Sequence, residues 1–187
     1  MASSKRQWPV IAESPPDLRR RQWLSLNLLG IILVLMAAAQ LLSFGDFTNN
    51  LDAMGMGPPK LWAAILIMAE LWGAAGFFKV SLSRAFRKVS NFFALFAGSF
   101  WFYQTVRQIS EGNNVQFVID GKVQNLSASF FGRFLNQMPG WWTVVEASLL
   151  LFWVLYALDI SAAASAVGSK VITKVSRTRG KKEVPNV

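Results

Sequence analysis

The chain has no cysteine and no histidine among its 187 residues. Disulfides, thiol redox cycling, iron–sulfur ligation and histidine-ligated haem are therefore excluded within it. A zinc site would have to be built from carboxylates alone, against the preference of zinc for nitrogen and sulfur ligands, so no metal site is expected. No cofactor chemistry is expected from the chain itself. Any redox step would fall to a partner or to a non-covalently held organic cofactor. Charge is also scarce, at 16% of residues, against roughly 25% in soluble domains. What charge there is leans positive, with a net +9. The basic residues form no aromatic-interleaved patch and no known nucleic-acid motif, so nucleic acid is not an expected partner.

What the chain has instead is apolar bulk: 53% hydrophobic residues, with 15 Phe and 8 Trp. These gather in four blocks with the charges between them, the pattern of a polytopic membrane protein. The blocks run over about 23–44, 61–78, 89–106 and 141–160, the last continuing towards Ala166. Each has about the 18 residues that a helical span needs. Helices are expected because their backbone groups are satisfied internally, and no alternating ten-residue pattern suggests a barrel. The expected fold is thus an all-α membrane protein, a bundle of four transmembrane helices. A basic segment 1–22 precedes the membrane domain 23–166, and a basic tail 167–187 follows it.

Fifteen of the 19 basic residues precede the first block, separate the second from the third, or follow the fourth. The other side holds Lys60, Arg107, Lys122 and Arg133. By the positive-inside rule, both termini are expected in the cytoplasm, with the chain multi-pass in the cell (inner) membrane. Arg19–Arg21 followed by an apolar run and Ala37–Ala39 resembles a cleavable signal, but the run continues through Leu41, Leu42 and Phe44.

The two outer connections carry signals of their own. After the first block, Asp46 is placed to cap a short interfacial helix whose apolar positions Phe47, Leu51 and Met54 share one face. Gly55 and Gly57 would end it, and Pro58-Pro59 would open the next helix. The longer connection, about 107–140, holds Asp120-Gly121 between strand-forming residues, a hairpin signal. Ser127 then begins a second interfacial helix bearing Phe130, Phe131, Phe134, Leu135 and Met138. The expected outer loop is a short β-hairpin plus an interfacial helix.

Glu70 stands out because it lies at the centre of the second apolar block. A carboxylate at that depth costs on the order of 3 kcal/mol on insertion scales, so it must pair, protonate or face a polar cavity. Counting about 1.5 Å per residue, Gln40, Tyr103, Gln104, Arg107 and Glu146 fall in the same outer half of the bundle. Together with Glu70 they are the candidate lining of a polar cavity open to the outside. The competing reading is that these side chains hydrogen-bond one another and lock helix packing. The small residues Ala69, Gly73, Ala74, Ala75 and Gly76 let another backbone approach closely, within the chain or in a homo-oligomer. Phe92, Phe93, Phe96, Phe100, Trp101 and Phe102 are expected to be core or lipid-facing.

Between about Leu28 and Arg107 the chain resembles the DoxX/MauE-type four-helix membrane proteins. The matching residues are Gly30 in the first span, then Phe47, Leu51, Gly55 and Pro58, then Glu70, Leu71 and Gly73. Many members carry a lysine near the end of the first span, where this chain has Gln40, and the long loop before the last span is not part of the family pattern. The resemblance implies an accessory subunit of a membrane assembly linked to quinone-dependent redox chemistry, partnered by the bilayer and by a membrane protein or a second copy. The alternative is a small transporter or channel for protons or a small solute using Glu70. Whether the chain is an enzyme is left open, since no nucleotide loop or catalytic Ser or Cys arrangement occurs.

Overall fold

The computed structural model describes residues 18–110, 116–119, 122–125, 130–131 and 140–180. Five helices occur in it: α1 (Arg20–Leu42), α2 (Phe44–Ala53), α3 (Pro59–Ala75), α4 (Arg84–Ser110) and α5 (Trp141–Gly180). Two strands, β1 (Gln116–Ile119) and β2 (Lys122–Asn125), lie between α4 and α5. α3 packs between α1 and α4, α5 packs on α4 and reaches α1, and α2 lies across α3.

Local chemistry sets the element boundaries. α1 opens where the Arg19 backbone N–H donates to the Gln22 side chain at 3.0 Å. It closes at Ser43, whose N–H and hydroxyl both donate to the Ala39 carbonyl, at 3.1 and 2.8 Å. α2 follows at once, so Ser43 and not Asp46 takes the N-cap position, and Asp46 sits in the first turn, where a carboxylate favours the helix dipole. Phe47, Leu51 and Met54 are buried along one face of α2, as their spacing predicts. Gly55, at φ 74°, ends the helix, and the Met56 N–H donates back to the Leu51 carbonyl at 3.0 Å. That pairing satisfies a carbonyl the helix end would otherwise orphan. Pro59 then occupies the first turn of α3.

α3 and α4 approach more closely than ordinary side chains allow. A Cβ on Gly73 would lie 2.9 Å from the backbone of Ala94. Ser90 donates its hydroxyl to the Trp72 and Gly73 carbonyls, the latter at 3.1 Å, and a Cβ on Gly76 would strike the same hydroxyl. The small residues of α3 therefore serve contact within the chain. Gly30 plays the corresponding part between α1 and the end of α3, against Phe78 and the Ala74 carbonyl. α5 is tied to α1 by Trp153, whose indole donates to the Ser25 hydroxyl at 2.9 Å.

The expected bundle of four spans is not found. Among the described residues, two helices are long and apolar enough to cross a membrane, Arg20–Leu42 and Trp141–Ile160. α3 has 17 residues, about 26 Å of rise, short of the ~30 Å hydrocarbon core. Hydropathy carries the second block to Phe78, but the helix stops at Gly76, where the Phe77 N–H turns back to the Ala74 carbonyl. α4 has the length, at 27 residues, but polar groups enter from both ends, through Arg84, Arg87 and Lys88 at one and Gln104, Arg107 and Gln108 at the other. α5 continues into the basic segment as far as Gly180. As a unit, the expected hairpin plus interfacial helix is not found either. β1 and β2 pair antiparallel, Gln116 with Asn125 and Ile119 with Lys122. The turn residues 120–121 and the helix expected over 127–138, apart from Phe130 and Phe131, lie outside the described residues.

Substitution Gly73→Ala should lower thermal stability in detergent by about 1–3 kcal/mol, the usual cost of forcing atoms into a packed contact. Gly45→Ala, where the new methyl meets nothing within 4 Å, should raise it by about 0.5–1 kcal/mol through the helix-propensity gain. Parallel melting curves of the two variants check both signs.

Candidate functional site

Three helices each present a buried stripe at helical spacing. On α3 it runs through Ala63, Leu66, Ile67, Glu70, Gly73 and Ala74. On α1 it runs through Leu29, Leu33, Met36, Ala37 and Gln40. On α4 it includes Ala94, Ala97, Trp101, Gln104 and Thr105. Glu70, Gln40 and Trp101 each fall on the stripe of their own helix, so the packing that buries the apolar neighbours carries these polar groups inward too. Glu70 and Gln40 are 0% exposed, and Trp101 is 2% exposed.

There the three meet. Gln40 Nε2 donates to Glu70 Oε1 at 2.9 Å, and Trp101 Nε1 donates to the same oxygen at 2.8 Å. Gln40 Nε2 also donates to the Phe130 carbonyl at 3.0 Å. The Phe130 ring stands edge-on to Trp101, with centroids 5.1 Å apart, and Phe47 of α2 lies 6.2 Å from the same indole. The Thr105 side-chain hydroxyl donates to the Trp101 backbone carbonyl at 3.0 Å. Three helices and the connection before α5 thus converge on one carboxyl group, closed over by aromatic rings. Glu70 Oε2 and Gln40 Oε1 are buried without a hydrogen-bond partner.

Of the six residues expected to line a cavity, the structure joins Glu70 and Gln40 directly. Gln104 and Arg107 are drawn towards the end of α2 instead. Gln104 Nε2 reaches Met56 Sδ at 3.4 Å, and Arg107 Nη1 donates to the Met54 carbonyl at 3.2 Å. The latter contact places a cation on a helix C-terminus, where it is favoured. Tyr103 is 61% exposed and points away. Glu146 is half-buried on α5. Sequence reasoning missed Trp101 and the Phe130 carbonyl. Trp101 had a usable signal, because a buried indole N–H seeks an acceptor and Glu70 was the one acceptor flagged at mid-helix. A backbone carbonyl from a distant connection leaves no such signal.

The arrangement can hold a carboxyl group out of water and fix its orientation. Among the described residues, no group of three or more acidic side chains gathers that could hold a metal ion. Trp101→Phe removes one of the two donors to Glu70 Oε1 while keeping an aromatic ring, and should cost about 1–3 kcal/mol because a buried acceptor loses part of its hydrogen bonding. Thermal unfolding beside Phe100→Leu, which leaves the donor in place, separates the hydrogen bond from ring packing. Comparisons with protein-family models, with curated proteins and with solved structures return no match for this chain.

Proposed function

We propose that the chain is an integral membrane protein, inserted through α1 and α5 with both termini cytoplasmic, and that it serves as an accessory subunit of a membrane assembly of the DoxX kind. The observation that carries this reading is the outward face of the two apolar helices. Only 39% of the apolar window of α1 and 28% of that of α5 is buried inside the molecule. A core helix of a soluble protein hides most of its surface, and large apolar side chains left outside mark a lipid or protein contact. Here Leu35 and Leu42 on α1 are 54% and 73% exposed, and Leu149 and Phe152 on α5 are 62% and 69% exposed. Trp141 and Trp142, at 78% and 75%, open α5 as interfacial anchors do. At the opposite end Arg19, Arg20 and Arg21 stand at the start of α1. That polarity supports a cytoplasmic placement of the basic end.

The DoxX-type residues support the accessory reading through their packing roles. Gly30 and Gly73 lie at close helix contacts, Gly55 ends α2, and Phe47, Leu51 and Glu70 are buried. A pattern spent on internal packing suits a scaffold whose partners meet its apolar perimeter. A quinone or lipid used by the assembly would meet that perimeter rather than the enclosed Glu70. The same enclosure weighs against a transporter or channel built on Glu70.

Because the chain is cysteine-free, single cysteines report topology cleanly. In intact cells Asn49→Cys and Trp141→Cys should react with an impermeant maleimide, and Ser176→Cys, beyond the apolar part of α5, only after permeabilisation. Labelling of Ser176→Cys from outside contradicts the orientation. Native mass spectrometry from a mild detergent should retain a stoichiometric membrane protein partner, and a bare monomer after mild cross-linking contradicts the accessory role.

A further inference from the structure

The two oxygens of Glu70 meet different surroundings. Oε1 accepts from Gln40 Nε2 and from Trp101 Nε1. Oε2 is buried and accepts from nothing. Gln40 shows the complementary imbalance. Both hydrogens of its amide nitrogen are used, one on Glu70 Oε1 and one on the Phe130 carbonyl, while its own Oε1 is buried without a donor. Each partner of this carboxyl–amide pair is therefore left with one unfilled acceptor.

A primary amide and a carboxylic acid associate through two bonds. The amide N–H donates to one acid oxygen, and the acid O–H donates to the amide oxygen. The first of these bonds is present. The second needs a hydrogen on Glu70 Oε2, and it would satisfy both orphaned oxygens at once. Turning the Gln40 amide over is no remedy, because its oxygen would then face Glu70 Oε1 and the Phe130 carbonyl, adding an acceptor to two others. An ionised Glu70 would leave two buried acceptors unfilled, a costly arrangement away from water.

We infer that Glu70 is held as the neutral acid, closes a two-bond ring with the Gln40 amide, and makes this pair a proton-binding site enclosed by Trp101 and Phe130. The proton sits on Glu70 Oε2 and is donated to Gln40 Oε1; on release it passes to solvent and leaves the carboxylate. The hydrogen-bond partners of Glu70 are uncharged. At the end of the bundle where α2 lies, the titratable groups on the surrounding elements are Asp46 and Asp52 on α2, Lys60 on α3, Tyr103 and Arg107 on α4, and Glu146 on α5. The first four are exposed, Arg107 reaches the Met54 carbonyl, and Glu146 is half-buried. The inference stands on these contacts alone and does not depend on the membrane reading.

Infrared spectroscopy of the full chain, in detergent at neutral pH, tests it. The wild-type protein should show a carboxylic-acid carbonyl band that shifts in D2O, is absent from Glu70→Gln, and moves to higher frequency in Gln40→Leu. Glu70→Gln should fold, since its amide can donate to Gln40 Oε1 and close the same ring. It should also lack the fall in melting temperature that the wild type shows as pH rises. The sign follows from linkage: the folded state binds a proton that the unfolded carboxyl releases, so stability declines with increasing pH. A wild-type spectrum with only carboxylate bands overturns the inference. So does a Glu70→Gln chain that fails to fold, because a neutral isostere must be accepted at this position.

Discussion

Everything near the centre of this molecule depends on where the Glu70 carboxyl group finds its hydrogen bonds. It is carried on α3 and satisfied from α1 and α4, by Gln40 and Trp101. Apolar packing alone is permissive, since a helix face of Leu, Ile and Ala can slide by a turn at modest cost. A buried carboxyl group cannot, because losing a donor leaves it unpaired in a dry interior. Glu70 therefore fixes the register of α1 against α3 and of α3 against α4 together. Gln40 extends the tie to the Phe130 carbonyl, so the connection before α5 is anchored at the same point.

The close approach of α3 to α4 works towards the same end about one turn further along α3. Gly73 and Gly76 remove the side chains that would separate the backbones, and Ser90 fills the gap with a hydroxyl aimed at α3 carbonyls. One turn or so from Glu70, this contact leaves little freedom in how Trp101 meets the carboxyl. The helix ends are held by cations on carbonyls: Arg87 donates to the Gly76 and Val80 carbonyls, both at 3.4 Å, and Arg107 to that of Met54. Basic residues that a charge count assigns to topology thus also terminate helices.

Much of this was legible in the residues and some was not, for identifiable reasons. The spacing of Phe47, Leu51 and Met54, with glycines and prolines after them, located α2 and the start of α3. Glu70 was conspicuous because it interrupts an apolar run. Depth along a helix can be counted from sequence, but the direction a side chain faces around the helix depends on which neighbours it packs against. Tyr103, Gln104 and Arg107 were therefore placed at a plausible level and yet do not join Glu70. Trp101 was hidden among aromatic neighbours whose hydropathy says nothing about an indole N–H. The span count failed because hydropathy does not register a helix that ends early, as α3 does at Gly76, or one that is apolar only in the middle, as α4 is.

The central claim is that Gln40 and Trp101 act together on one carboxyl group. A double-mutant cycle on thermal unfolding, with Gln40→Leu, Trp101→Phe and the combined variant, measures that cooperation most directly. A shared acceptor predicts non-additive losses, with a coupling of about 0.5–3 kcal/mol, because the second substitution strips Glu70 of its last donor. Losses that simply add, within about 0.3–0.5 kcal/mol, would contradict it and reduce both side chains to independent packing.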